Sequence, residues 1–316
     1  MENEDKFTFE DATRHAVPQI ISISGVSGSG KTYSGILLGA GLAGDSGKVA
    51  FLDTENGRGS MYADSPGIRA ALPNGYKRTE MSAPFHPNRY VKAIDAAERA
   101  GFSVLVIDSG SHAWEGEGGC SDIAEKDKGR WKNAKRENKR LVNRLLYSSM
   151  HIIVCLRARE KSKIVKTNGK EETISLGILP ICEKNFPFEM LLSFRVEEET
   201  NLAIPLKCPE PLRPLFREPK KLTRADGEAI RLWNETGALA DPHERLKKRA
   251  RSIAEDGVEA YHGFFVGLPK DQQKALAASI HGELKEIAAK VDAERVQSDA
   301  DKTVYTDGFA PDLQPV

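Results

Sequence analysis

Eight residues constrain this chain more than any other part of it. Gly25-Val26-Ser27-Gly28-Ser29-Gly30-Lys31-Thr32 follows an apolar, β-rich run at residues 19–24 and precedes a helix-compatible stretch at 31–43. The eight fit GxxxxGK[ST], and strand, glycine loop, helix is the order that gives this pattern physical meaning. Glycines let successive backbone N–H groups turn inward, and the helix that follows adds the positive end of its dipole. A lysine then meets β- and γ-phosphate oxygens, and a hydroxyl meets a magnesium ion. Gly25, Ser27, Gly28, Ser29, Gly30, Lys31, Thr32 and Tyr33 are therefore the expected nucleotide-binding residues. ATP and Mg²⁺ are the expected ligands. No [NT]KxD stretch follows to select guanine, and no LSGGQ signature occurs.

Further apolar runs recur at residues 48–55, 102–108 and 151–160, with a short strand possible at 76–81 and two more strands expected within 189–206. Helical spacing marks 87–100 (Tyr90, Val91, Ile94, Ala97), 130–148 (Trp131, Ala134, Leu141, Leu145) and 222–237. Unbroken apolar strands suit a parallel sheet covered on both faces, and their alternation with helices indicates an α/β fold. Asn168-Gly169 signals a late hairpin, hence an antiparallel edge. The segment 110–122 reads as flexible. The expected division is an N-terminal extension at 1–17, an ATPase domain at 18–240, a helical region at 241–297 and a disordered tail at 298–316. In the helical region, 242–256 and 269–296 read as helices, the second with the stripe Leu276, Ile280, Leu284, Ile287 and Val291.

A phosphate loop needs a second acid for its metal. Leu105-Val106-Ile107-Asp108 runs four apolar residues into a carboxylate, so Asp108 is the expected magnesium partner of Thr32. Phe51-Leu52-Asp53-Thr54-Glu55 ends another strand, which places Glu55 to orient the attacking water. Asp53 is read either as structural or as a ribose-side acid, and the bland alternative is that both acids solvate a strand end. Lys31, Glu55 and Asp108 are thus the candidate catalytic residues, with Thr32 and Asp108 as metal ligands.

Together GVSGSGKT, FLDTE and VLVIDS resemble the RecA-like ATPase core, over roughly residues 18–236. More narrowly they are similar to phage RecA-like ATP-binding proteins that include single-strand annealing and recombination ATPases. The resemblance implies a RecA-like P-loop NTPase core, a mostly parallel sheet flanked by helices with an antiparallel edge and a small C-terminal helical region. It also implies that Glu55 is the catalytic glutamate. The segment LRARE differs from RecA itself, which has a glutamine sensor there, and matches the phage group in being basic. Arg157, Arg159 and Lys161 are accordingly candidate sensors of the γ-phosphate, in the same subunit or across a homo-oligomer interface. The implied role is phage recombination or replication on single-stranded DNA, with other phage or host replication and recombination proteins as partners.

Net charge is zero, with 46 basic and 46 acidic residues, so only its distribution is informative. Between residues 124 and 144 stand nine Lys/Arg and three acids; between 157 and 170, six basic residues and Glu160. Lys128, Arg130, Lys132, Lys135, Arg136, Lys139, Arg140 and Lys163 are the candidate DNA-binding residues, with Trp131 available to stack a base. The alternative is a solvated helix face with Trp131 in the core. His86, His112 and His151 lack metal-ligand spacing. Four scattered cysteines, no membrane-length apolar run and no secretory leader point to a cytoplasmic protein with no membrane partner. Two other functions remain open, a P-loop kinase of a nucleotide or small molecule and an ATP-gated assembly module with little turnover.

Overall fold

Alternating burial builds the centre of the molecule, a computed structural model that describes residues 11–167, 170–239 and 242–306. Its chain divides into two units, Met1–Ala240 and Asp241–Val316. The first unit holds an eight-stranded sheet: β1 Ile20–Gly25, β2 Val49–Asp53, β3 Lys77–Glu80, β4 Val104–Asp108, β5 His151–Thr167, β6 Lys170–Pro180, β7 Leu192–Val196 and β8 Ala203–Lys207. Spatial order is β3-β2-β4-β5-β1-β7-β8, with β6 paired to the outer half of β5. The pairs along the path from β3 to β7 are all parallel, while β6 and β8 run antiparallel to their neighbours.

Successive residues of each strand go to opposite layers, as a period of two requires. Ile21, Ile23, Phe51, Val104, Val106 and Ile153 join Ile36, Leu38 and Leu42 of the helix Lys31–Ala43 and Ile230 of the helix Arg224–Glu235. Ile20, Leu52, Leu105, Ile107, Ile152 and Val154 join Tyr90 and Ile94 of Pro87–Arg99 and Leu141 and Leu145 of Lys132–Leu146. Both faces are dry, which is why these strands read as unbroken apolar runs. On the first face two helices touch through glycine. A Cβ on Gly41 would lie 2.0 Å from the Arg224 carbonyl oxygen, and one on Gly227 would lie 2.1 Å from that of Leu38.

Asp53 and Asp108 stand side by side at the C-terminal ends of β2 and β4, Asp108 pairs with Cys155 partway along β5, and Gly25 pairs with Arg157 at the end of β1. All the motif loops therefore leave the same edge of the sheet. Such an edge, where neighbouring connections depart to opposite faces, forms a crevice in open α/β sheets.

Four expectations change in detail. Residues 110–122 are not a loose segment, since they form the turn His112–Glu115 and the start of the helix Cys120–Lys126. Strand β5 is continuous through Lys161 and Lys163 as far as Thr167, and Asn168-Gly169 lies outside the described residues. The 269–296 stripe spans two helices, Lys270–Ala277 and His281–Thr306. The hydroxyl of Ser279, between them, donates to the Ala275 and Leu276 carbonyls and competes with the helix ladder. Helix His281–Thr306 extends into the stretch read as a disordered tail, of which 307–316 lie outside the described residues. The second unit adds Pro242–Ala254 and Val258–Val266 and closes on Ala250, Ala254, Tyr261, Leu276, Leu284 and Ala288. Among the described residues no helix is long and apolar enough to cross a membrane.

Candidate nucleotide-binding site

Gly28 and Gly30 adopt φ of 88° and 90°, left-handed values that let the loop curl back over the start of the Lys31–Ala43 helix. A Cβ on Gly28 would meet nothing within 4 Å, so the loop presents bare backbone to open space, as a phosphate cradle must. Gly25 is glycine for a different reason, because a Cβ there would lie 2.4 Å from Ser29 Oγ and 2.8 Å from the Val196 carbonyl oxygen. Ser29 is buried and Ser27 exposed. Lys31 is 8% exposed, and its Nζ donates to the Val26 carbonyl oxygen at 2.7 Å. The ammonium thus lies along the loop it serves. Tyr33 packs edge-on against Tyr62, with ring centroids 5.7 Å apart.

One contact on this loop has no sequence signal. Asn201, in the turn joining β7 to β8, holds φ of 56° and donates from Nδ2 to the Ser29 carbonyl oxygen at 3.0 Å. A single Asn in a polar turn does not announce its partner 172 residues away. Replacing Asn201 by Ala is expected to weaken nucleotide binding about three- to tenfold, since a net hydrogen bond contributes about 0.5–1.5 kcal/mol. Equilibrium titration with a fluorescent ATP analogue measures this, and unchanged affinity would remove Asn201 from the site.

Thr32 Oγ1 donates to Asp108 Oδ2, joining the two residues expected to hold the metal. Asp108 is 3% exposed, and its carboxyl is pushed up to about 6. Burial is the main cause; the Thr32 hydrogen bond opposes it, and the charge of Glu55 adds to it. A hydroxyl and a desolvated carboxylate in contact are a hard oxygen pair of the type Mg²⁺ takes, so this donor set fits the ion.

The two acids after β2 separate cleanly. Asp53 is fully buried; its Oδ1 accepts from the Glu55 N–H at 2.9 Å and its Oδ2 from the Gly59 N–H at 2.8 Å. Those bonds, with Arg78 at 3.4 Å, make Asp53 the residue that shapes the loop. Of its two readings the structural one describes these contacts. Glu55 stands free of such duties, with Oε2 2.9 Å from Arg58 NH1 and Oε1 3.8 Å from Arg157 Nε.

Behind Glu55 runs a chain of hydrogen bonds whose protons have one consistent arrangement. Thr54 Oγ1 accepts from the Ser109 N–H at 2.7 Å, lies 3.2 Å from the Ser109 carbonyl oxygen and lies 2.8 Å from His112 Nδ1. Arg157 NH1 is 3.4 Å from His112 Nε2, and a guanidinium has only donors, so Nε2 accepts and Nδ1 carries the proton. Nδ1–H then donates to Thr54, whose own proton goes to Ser109. Burial holds His112 below its ordinary range, consistent with this neutral ring. His112 is therefore linked to the site through contacts that its isolated position in sequence did not reveal. His86 instead accepts from the Asn88 N–H at the start of Pro87–Arg99, and His151 Nδ1 accepts from the Gln19 N–H.

Among the three candidate sensors, Arg157 faces Glu55, while Arg159 pairs with Glu115 at 2.8 Å. Lys161 lies on the same side of β5 by strand alternation, half-buried, with Cys182 in its field. Of the basic candidates, Lys128, Arg130, Lys132, Lys135, Arg136, Lys139 and Lys163 are exposed. Lys132, Lys135, Arg136 and Lys139 form one stripe of their helix. Arg140 is half-buried beside Glu137 at 3.5 Å. Arg144, which swells the local charge count, is buried against Asp95 at 2.8 Å and Glu98, so it belongs to the fold. Trp131 is outside the core, 40% exposed and stacked on Trp114.

A family model described as an AAA domain matches residues 18–181. Among solved structures, the chain resembles a KaiC-like protein of the hyperthermophilic archaeon Pyrococcus horikoshii OT3, at 14% identity and a TM-score of 0.36. That match covers 62% of this chain and 88% of the other. No curated protein matches the chain.

Proposed function

The chain belongs to the AAA domain family, and from that premise we propose that it binds ATP with Mg²⁺ on the loop 25–32 and hydrolyses it, acting on single-stranded DNA. The observation that carries the ATPase reading is the Thr32–Asp108 contact beside Lys31, with Glu55 close enough for its charge to act on Asp108. Thr32 and Asp108 would hold the metal, which when bound offsets phosphate charge. Lys31 would leave the Val26 carbonyl for the β- and γ-oxygens, and the loop N–H groups would face the same phosphates. Glu55 would orient the attacking water and take its proton, with the Asp53-built turn fixing the backbone from which it projects. Arg157 would respond to the γ-phosphate through its contact with Glu55.

Support for the nucleic-acid half is the exposed basic stripe Lys132, Lys135, Arg136 and Lys139, with Lys128, Arg130 and, on β5, Lys163 also exposed. A setting in phage recombination or replication follows from the motif resemblance alone.

Phosphate release from ATP, measured with and without an oligothymidylate, tests the reading. The expected result is free phosphate, a faster rate with the oligomer, and an affinity that falls with salt. About five phosphate contacts would give a log–log slope near −3.5, at about 0.7 per contact for single strands. Phosphate transferred to a metabolite would indicate a kinase instead. A rate and a salt slope both indifferent to DNA would overturn the nucleic-acid half and leave the nucleotide site standing.

A further inference from the structure

Trp114 lies on the turn His112–Glu115, and Trp131 sits at the N-terminus of the basic helix Lys132–Leu146. Their rings stack, with centroids 5.4 Å apart and planes inclined by 26°. Trp114 is half-buried against the small cluster of Cys120, Ala124 and Ala134. Trp131 covers Trp114 and leaves two-fifths of its surface to solvent. An indole recruited only to fill the interior would be buried; this one extends a stack outward. Lys128, Arg130, Lys132 and Lys135 surround it in sequence and are all exposed. Arg130 is committed in part to Asp127, at 3.4 Å. An open aromatic face flanked in sequence by exposed lysines and an arginine matches a flat heterocycle on an anionic backbone better than it matches an apolar protein surface.

The position of Trp114 ties this feature to the nucleotide site. The same four-residue turn carries His112, which bonds to Thr54 and faces Arg157, and Glu115, which pairs with Arg159. Arg157 in turn faces Glu55. Any shift of the turn at Trp114 therefore moves the partners of both arginines, one of which touches the proposed water-orienting carboxylate. From the turn that carries Trp114, two contacts lead to Glu55: His112 to Arg157 at 3.4 Å and Arg157 to Glu55 at 3.8 Å.

We propose that the Trp114–Trp131 stack is a nucleobase platform for a single-stranded nucleic acid, and that a base added to it shifts the His112–Glu115 turn and so sets the Arg157–Glu55 contact for faster hydrolysis. The proposal rests on the nucleic-acid reading above and adds to it where the base sits and how its arrival reaches the ATP site. Backbone charge explains affinity for any polyanion; the platform requires the base.

A Trp233→Phe protein makes the two stacked indoles the only tryptophans, since the chain has three. It is titrated with a 20-nucleotide oligothymidylate and with an abasic oligomer of equal length, reading indole emission and the anisotropy of an end label. The thymidylate is expected to quench the emission to saturation, while the abasic oligomer binds about tenfold more weakly without quenching. In that background, Trp131→Ala is expected to reduce thymidylate affinity about tenfold, to the abasic level, and to lower the ratio of ATP turnover with and without oligomer. Trp131→Phe is expected to retain most of both. Equal affinity for the two oligomers, with Trp131→Ala unchanged, overturns the platform. Lost affinity with an undiminished turnover ratio at saturating thymidylate overturns the relay. If neither oligomer binds the Trp233→Phe protein, the nucleic-acid reading itself is wrong.

Discussion

Replacing Lys31 by alanine is expected to lower ATP turnover by about two to three orders of magnitude. The side chain is nearly buried and held along its own loop by the Val26 carbonyl, so its charge is already oriented and largely stripped of water. A preorganised cation aimed at developing phosphate charge contributes about 3–4 kcal/mol to the barrier, the scale seen when one such donor is removed from an active site. Loss of the Val26 bond costs the fold about 1 kcal/mol, small enough that the variant should remain folded. Steady-state phosphate release, with thermal unfolding as the control, reads the two effects separately. Lys31→Arg is not a conservative rescue, because a planar fork cannot occupy the point position of an ammonium. Hydrolysis at the parental rate would mean that the loop is a glycine turn and the site lies elsewhere.

How much of this arrangement the sequence discloses depends on whether the signal is local. Loop 25–32 and the helix Lys31–Ala43 are legible because sterics and periodicity act within a few residues. β2 and β4 are legible because burial on both faces demands unbroken apolar residues ending in an acid. Asn201 is not legible, since its partner is a backbone carbonyl reached only once β7 and β8 have closed. In FLDTE the role of Asp53 stays open between structural and ribose-side; the turn that brings the Gly59 N–H back onto Asp53 decides for the structural one. Counting charges could not tell Arg144, buried with Asp95 and Glu98, from Lys139 on the surface. The apolar stripe left Trp131 open between core and surface; its N-cap position lets the ring lie outward over Trp114. His112 gains its role from Thr54 and Arg157, residues at distances in sequence that no spacing rule connects.

Glu55→Gln separates chemistry from binding more sharply than any other substitution. The amide keeps the size of the side chain and an oxygen for Arg58, but it cannot accept a proton from water. Turnover is expected to fall by about 10²- to 10⁴-fold, the range for loss of a positioned general base. ATP affinity should stay within about threefold of the parent, because the loop N–H groups, Lys31 and the Thr32–Asp108 pair are untouched. The ion pair lost to Arg58 is exposed on the arginine side and contributes at most about 1 kcal/mol to stability. Single-turnover hydrolysis alongside ATP binding gives both quantities, and the expected result is a pure loss of rate. If Glu55→Gln instead weakens ATP binding while bound ATP is hydrolysed at the parental rate, Glu55 serves with Asp53 in shaping the loop. The water must then be activated by another group at the same sheet edge. Lys31→Ala and Glu55→Gln together therefore distinguish a site that merely holds ATP from one that hydrolyses it.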